Sequence, residues 1–227
     1  MEQAEIYTEI YQYLADCLGC PEAVLRAEGT YFVKSPRQHD VKILSIRDTD
    51  IISLSEDVYA LGKARLAGKS RDELYESTLT FGQTLHYVPD LREVCRPPLP
   101  ENFTPEWYGE AELPRLRGIE DFGNSLAFDP VGNTDTGCAL CAVKDGNIVA
   151  IAGAAAVTDK LMEIGIDVQK PWRGRGLASA LVRNLTAQIL AQGKMPFYSA
   201  SVTNLASQAV AIRSGYLPLW TDSYGVR

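Results

Sequence analysis

The segment Arg173-Gly174-Arg175-Gly176-Leu177-Ala178 constrains this chain more than any other, because it joins an apolar, strand-like run to a long amphipathic helix. Gly174 and Gly176 carry no β-carbon, so they admit a tight turn and a close approach to the main chain. The helix that follows opens with N–H groups lacking intrahelical partners. Strand, glycine turn and helix N-terminus in this order make a cradle for an anion such as a phosphate, and Arg173 and Arg175 add positive charge beside it. The helix dipole contributes about 0.3–1 kcal/mol and a charge-assisted hydrogen bond about 1.5–3 kcal/mol. Micromolar binding needs about 8 kcal/mol, so contacts to the remainder of a ligand are required as well. The Gly-Lys-Ser/Thr ending of a nucleotide P-loop is missing, and no second glycine pair with an acidic ribose-binding residue follows at dinucleotide-binding spacing.

The chain has 227 residues, 46% hydrophobic and 22% charged, enough for one large core or two modest ones. Its first residues, Met1-Glu2-Gln3-Ala4-Glu5, are acidic where a signal peptide is basic, and no apolar run approaches a membrane span, so a cytoplasmic protein without membrane contact is expected. The net charge of −7 is uneven: residues 1–119 hold 13 Lys/Arg against 20 Asp/Glu, and the rest hold nine of each. With no basic face, nucleic acid is disfavoured as a partner, and an acidic N-terminal surface suits a cationic one. Five cysteines do not make a disulfide framework. Cys17 with Cys20 and Cys138 with Cys141 have C-x-x-C spacing, but the second pair lies in a strand-like run where positions three apart face opposite sides, so no metal is expected.

Along the chain, Ile6, Ile10, Tyr13, Leu14 and Leu18 have helical spacing over residues 5–18, stopped near Pro21. Residues 31–33 and 41–46 read as strands, followed by a helix capped near Ser55 and another opened by the capping box Ser70-Arg71-Asp72-Glu73. Cys95-Arg96-Pro97-Pro98-Leu99-Pro100, followed by Pro105, reads as irregular and as a boundary, which gives an N-terminal mixed helix and strand region, 1–110, and a second domain, 115–227. In the latter, residues 139–143 and 148–153 form a hairpin about Asp145-Gly146-Asn147. Residues 161–168 form the next strand. A helix apolar at Leu177, Leu181, Leu185 and Ile189 ends at Gly193, and a strand (197–202), a helix (204–213) closed by Gly215 and a strand (216–220) follow.

This order of elements, with these motifs, resembles the GNAT superfamily of acyl-CoA-dependent N-acetyltransferases, over roughly Cys138 to Leu219. The family signature, Arg or Gln, two residues, Gly, one residue, Gly or Ala, is met by Arg173, Gly176 and Ala178 after Ile164-Gly165-Ile166-Asp167-Val168. Asn204, Ser207 and Gly215-Tyr216 meet the later part of the pattern. The resemblance implies an α/β (α+β) fold, a mixed, mostly antiparallel twisted sheet flanked by helices. It also implies acetyl-CoA as cosubstrate and a primary amine of a small molecule or protein as acceptor. Two strands splay to admit the pantetheine arm, so Ile166 and Val168 are expected to offer it backbone groups. Arg173, Gly174, Arg175, Gly176, Leu177 and Ala178 are expected at the pyrophosphate, and Asn204 and Ser207 along the pantetheine.

An alkylamine is protonated at neutral pH, so acyl transfer gains from a general base. Glu163 is the carboxylate at hand, although in a regular strand it faces away from Val168, and only a bulge aligns them. Asp167 reads as structural. The tyrosine that the family uses to protonate the leaving thiol is replaced by Ala211, with Ser207, Tyr198 and Tyr216 as substitutes. This absence keeps open a non-catalytic acyl-CoA-binding module, and the signature leaves open another acyl-CoA donor. His39 and His86 lie outside the matching segment, and neither the acceptor nor the oligomeric state is legible.

Overall fold

A computed structural model describes residues 1–225. The chain begins with helices α1 (Gln3–Leu18) and α2 (Glu22–Leu25), strands β1 (Gly29–Lys34), β2 (Val41–Ile46) and β3 (Thr49–Leu54), and helices α3 (Tyr59–Leu66) and α4 (Arg71–Tyr75). Strands β4 (Phe81–Pro89), β5 (Thr104–Gly109), β6 (Thr136–Lys144), β7 (Asn147–Ala156) and β8 (Leu161–Val168) come next. Helix α5 (Leu177–Ala191), strand β9 (Met195–Ser201), helix α6 (Leu205–Arg213) and strand β10 (Tyr216–Gly225) complete the order. The fold is mixed α/β, with ten mostly antiparallel strands flanked by helices. Among the described residues no helix is long and apolar enough to cross a membrane.

The residues group into two compact units. The first holds Ala4–His86, Ala200–Asn204 and the chain from Pro218; the second holds Met1–Gln3, Tyr87–Ser199 and Leu205–Leu217. The proline-rich stretch 95–105 falls inside the second, and the end of β10 returns to pair antiparallel with β2, from Trp220↔Ile46 to Ser223↔Ile43. A strand recruited from the far end of the chain leaves no compositional mark, so a linear reading does not see it.

In the first unit the strand order is β1-β3-β2-β10-β4. Val41, Ile43, Ile52 and Leu54 turn to one face and pack with Leu66 of α3 and Leu74 of α4. Ser53 and Thr49, of opposite parity, donate to the carbonyls of Leu18 and Ala27, which anchors the ends of the segment built on α1 to the other face. The capping box forms as expected, Ser70 accepting from Glu73 N–H and Glu73 accepting from Ser70 N–H. α3 starts at Tyr59, later than expected, because Ser55 is used elsewhere: its N–H donates to Asp40 O and its hydroxyl to Asp57. Strands β3, β4 and β5 were not anticipated, since none alternates cleanly. Pro105 lies within β5, and β5 is last in the strand order, where a missing N–H costs no ladder bond.

The buried charges of this unit gather on Asp222. His86 Nε2 donates to its Oδ1 (3.1 Å), Lys42 Nζ lies 2.8 Å from Oδ2, and the His86 ring stacks on Trp220 at 4.4 Å. Burial pushes the Asp222 carboxyl up, but the hydrogen bond and charge of His86, followed by Lys42, outweigh it and hold the group below the usual carboxylate range. Breaking such a buried pair from one side costs about 3–5 kcal/mol, so Asp222→Asn is expected to lower the melting temperature markedly at pH 7. A depressed folded pKa contributes stability that is present above the unfolded value, about 3.9, and is lost as pH falls through the folded one. The drop in melting temperature between pH 7 and pH 3 is therefore expected to be smaller in Asp222→Asn than in wild type, and an equal drop would remove Asp222 from the acid transition.

In the second unit the order is β9-β8-β7-β6-β5. The β6–β7 hairpin turns through Asp145 (φ 51°) and Gly146 (φ 79°), the two positive φ values of a type I′ turn, with Lys144 opposite Asn147. Ala139, Cys141 and Ile151 share a face with Leu113, Leu116, Phe122 and Leu126 from the preceding loop, and α5 packs on β6, β7 and β8 from the other side. Cys138 pairs with Ala154 and Cys141 with Ile151, on opposite faces, and burial pushes their thiols up to about 11 and about 12. They behave as small buried apolar residues.

Candidate functional site

The register of β8 decides which of its backbone groups are committed. In an antiparallel pair, facing residues alternate between exchanging hydrogen bonds and not doing so. Gln169 N–H donates to Val149 O and Val157 N–H to Leu161 O, and the pairs between them run without a shift from Ala156↔Met162 to Ala150↔Val168. The odd positions Glu163, Gly165 and Asp167 therefore spend their N–H and C=O on β7. The even positions Ile164, Ile166 and Val168 direct theirs to the opposite edge. On that edge β9 pairs in parallel over Leu161↔Met195 to Ile164↔Tyr198, while β8 continues to Val168. Past Ile164 the strands open as a fork, and Ile166 and Val168, both expected at the cofactor, point backbone groups into it. The Val168 carbonyl accepts from Arg173 Nε at 2.9 Å, so this arginine pins the turn to the strand end.

A short 3₁₀ turn, Lys170–Trp172, leads to the glycines. Gly174 (φ 77°) and Gly176 (φ 81°) are both left-handed, and a β-carbon at either would stand in open space, so the backbone conformation is what selects glycine. Gly176 is the N-cap of α5, which has no side-chain cap and no acidic residue in its first turn. The first helical bond is Ala180 N–H to Gly176 O, so the amides of Leu177, Ala178 and Ser179 precede the ladder. Arg175 lies over the Trp172 ring at 5.2 Å, and Trp172 meets Phe103 edge-on at 5.5 Å. An uncapped helix start, open space above it and exposed arginines fit a diphosphate. Among the described residues no His, Cys, Asp or Glu cluster is arranged to hold a metal.

At the apex of the fork two polar pairs face opposite sides of the sheet. Glu163 accepts from Ser199 Oγ on the side that also carries Gly165 and Asp167. Tyr198 OH and Ser207 Oγ are 2.7 Å apart on the other side. Tyr216 is sealed in the core with its hydroxyl 2.7 Å from Thr186 Oγ1, and burial pushes its phenol strongly upward. Of the three expected substitutes for the missing tyrosine, the structure thus joins Tyr198 to Ser207 and sets Tyr216 apart from the fork. Asn204 closes the turn before α6, its N–H donating to Ser201 O.

Residues 128–219, which contain the β6–β7 hairpin, the fork, the glycine turn and α6, match the family model for GNAT acetyltransferases. The chain belongs to the GNAT superfamily. A GCN5-related N-acetyltransferase-like protein from Streptococcus suis shares the fold over 96% of this chain and 99% of its own length, with TM-score 0.52 and 20% identity. A GNAT-family protein from Novosphingobium aromaticivorans matches 65% of this chain and 67% of its own at 0.47 and 20% identity. A GNAT-family acetyltransferase from Colwellia psychrerythraea matches 66% of this chain and 58% of its own at 0.47 and 15%. No protein of curated function matches.

Within this GNAT domain Ala211 is fully buried, so a methyl group closes the place where the family carries its tyrosine. β8 has no bulge between Met162 and Val168, and Glu163 and Val168 keep to opposite faces. Asp167 is a clasp. It accepts from the N–H and side chain of Asn124 and from the N–H and hydroxyl of Ser125, at 2.6–2.9 Å. The loop it holds lies directly on the sheet: a β-carbon on Gly165 or Gly153 would come within 1.9 or 1.8 Å of the Asn124 or Ser125 carbonyl oxygen. Ser199 and this loop were missed by sequence reasoning. The available signal was a polar residue on each of two neighbouring apolar strands, Glu163 and Ser199, and two glycines, Gly153 and Gly165, inside strands. His39 and His86 belong to the other unit, bound to Asp57 and Asp222.

Proposed function

We propose that this GNAT protein transfers an acetyl group from acetyl-CoA to a primary amine. The observation that carries the reading is the fork. The backbone groups of Ile166 and Val168 face an open edge that ends at an uncapped helix start, a layout that suits an extended amide-bearing arm with a diphosphate behind it. Main-chain pairing along the arm adds what the phosphate contacts lack. Leu177, Ala178 and Ser179 amides hold the diphosphate, with Arg175 beside them. Acetyl-CoA supplies a thioester carbonyl. A β8 N–H in the fork stabilises the oxygen as charge develops on it, and Glu163, oriented by Ser199, accepts the proton of the incoming amine.

Acetyl-CoA at 100 times its dissociation constant is expected to add about 2.7 kcal/mol to stability, read as a rise in melting temperature. No rise at millimolar acetyl-CoA would discard the reading. Thiol release over a panel of amines then tests transfer. One observation favours a second reading, a non-catalytic acyl-CoA-binding module: the buried Ala211 in place of the family's tyrosine. A thermal shift without amine-dependent thiol release would select that module.

A further inference from the structure

The two polar pairs at the apex divide the chemistry by face. Ile164↔Tyr198 is the last pair before the strands part, and in a parallel ladder paired residues project to the same side. Glu163 and Ser199 therefore take one face, and Tyr198 with Ser207 takes the other. The Tyr198 ring is held between Tyr87 (6.4 Å, 75°) and Tyr216 (6.1 Å, 60°) and is almost wholly buried, so its hydroxyl has a fixed position. Burial pushes the phenol pKa up, and the group keeps its proton at neutral pH. Tyr198 accordingly donates to Ser207 Oγ.

A hydroxyl that accepts a strong hydrogen bond becomes a better donor, because each bond polarises the next. Ser207 is half-buried in the first turn of α6, with its oxygen fixed by Tyr198. Ser207 and Ala211 stand four residues apart, on one helix face, so the serine hydroxyl lies one turn before the position that Ala211 closes. The chemistry at that side of a thioester is the departure of a sulfur.

We infer that Ser207 is the hydrogen-bond donor to the sulfur as it leaves, and that Tyr198 is the positioning residue that aims it. The inference rests on the acetyl-transfer reading above. In the step, the amine nitrogen bonds to the carbonyl carbon, the carbon–sulfur bond breaks with its electron pair remaining on sulfur, and the amine proton passes to Glu163 and then to water. Ser207 keeps its own proton. A thiol has a pKa of about 8.5, so the sulfur can leave as a thiolate, stabilised by the donor, and take a proton from solvent afterwards.

Steady-state kinetics with the amine that best releases thiol test the arrangement. Ser207→Ala is expected to lower kcat about 10- to 100-fold, the factor for one hydrogen bond to a charged group, with the acetyl-CoA KM and thermal shift unchanged. Ser207→Thr, which retains the hydroxyl, is expected to stay within about threefold of wild type, and Tyr198→Phe to lose about three- to tenfold. Because Tyr198 acts through Ser207, the double variant is expected to be no slower than Ser207→Ala alone. A Ser207→Ala kcat within twofold of wild type overturns the inference while leaving acetyl transfer standing, and so does a double variant whose losses multiply. Wild type that binds acetyl-CoA yet releases no thiol with any amine overturns both.

Discussion

Gly176→Val is expected to abolish the stabilisation of this protein by acetyl-CoA. Gly176 sits at φ 81° as the N-cap of α5, and a left-handed conformation costs an L-residue about 1–2 kcal/mol, more when it is β-branched. The larger effect is at the ligand. The β-carbon would enter the open space in front of the Leu177, Ala178 and Ser179 amides, the surface that a diphosphate must approach to hydrogen-bond distance. Gly193 provides the control. It follows the other end of the same helix at φ 76°, with open space around its missing side chain, so Gly193→Val carries similar backbone strain without touching the cradle. Both variants are expected to melt below wild type, and only Gly193→Val is expected to regain stability with acetyl-CoA. Equal responses from the two would place the diphosphate elsewhere.

Glu163→Gln is expected to lower kcat about 100-fold, at the lower end of what general bases contribute, while the acetyl-CoA thermal shift stays that of wild type. The amide has the shape of the carboxylate and can still accept from Ser199, so packing at the apex persists. What is lost is the capacity to take a proton from the amine. Activity at the wild-type level in Glu163→Gln would show that solvent removes this proton and that Glu163 serves only to hold Ser199. The side on which Glu163 lies also matters. With no bulge in β8 it shares a face with Gly165 and Asp167, against which the Asn124–Ser125 loop is clasped, so an amine that meets Glu163 must pass beside that loop.

Much of the second unit is legible in the chain. The turn at Asp145-Gly146, the strand ending at Val168, the glycine pair and the amphipathic period of α5 are each local, because turn chemistry and periodicity act over a few residues. The cradle belongs to this class, since strand, turn and helix start adjoin in sequence. The placement of Ile166 and Val168 is also local in origin, following from strand alternation once Gln169 is known to pair with Val149.

The β4 and β5 strands, the return of β10 to β2 and the pairing of Glu163 with Ser199 are not local. Each depends on a partner far along the chain, and nothing near Pro105 or His86 announces it. The tyrosines show the limit most clearly: Tyr198 and Tyr216 looked equivalent as strand aromatics, and packing alone bonded one to Ser207 and the other to Thr186. The amino-acid order by itself determined the anion cradle and the family pattern, because backbone conformation there is set by glycine and helix geometry. Which side chains share the apex of the fork was decided by tertiary structure, because a hydrogen bond between distant residues exists only after the sheet has brought their strands into register.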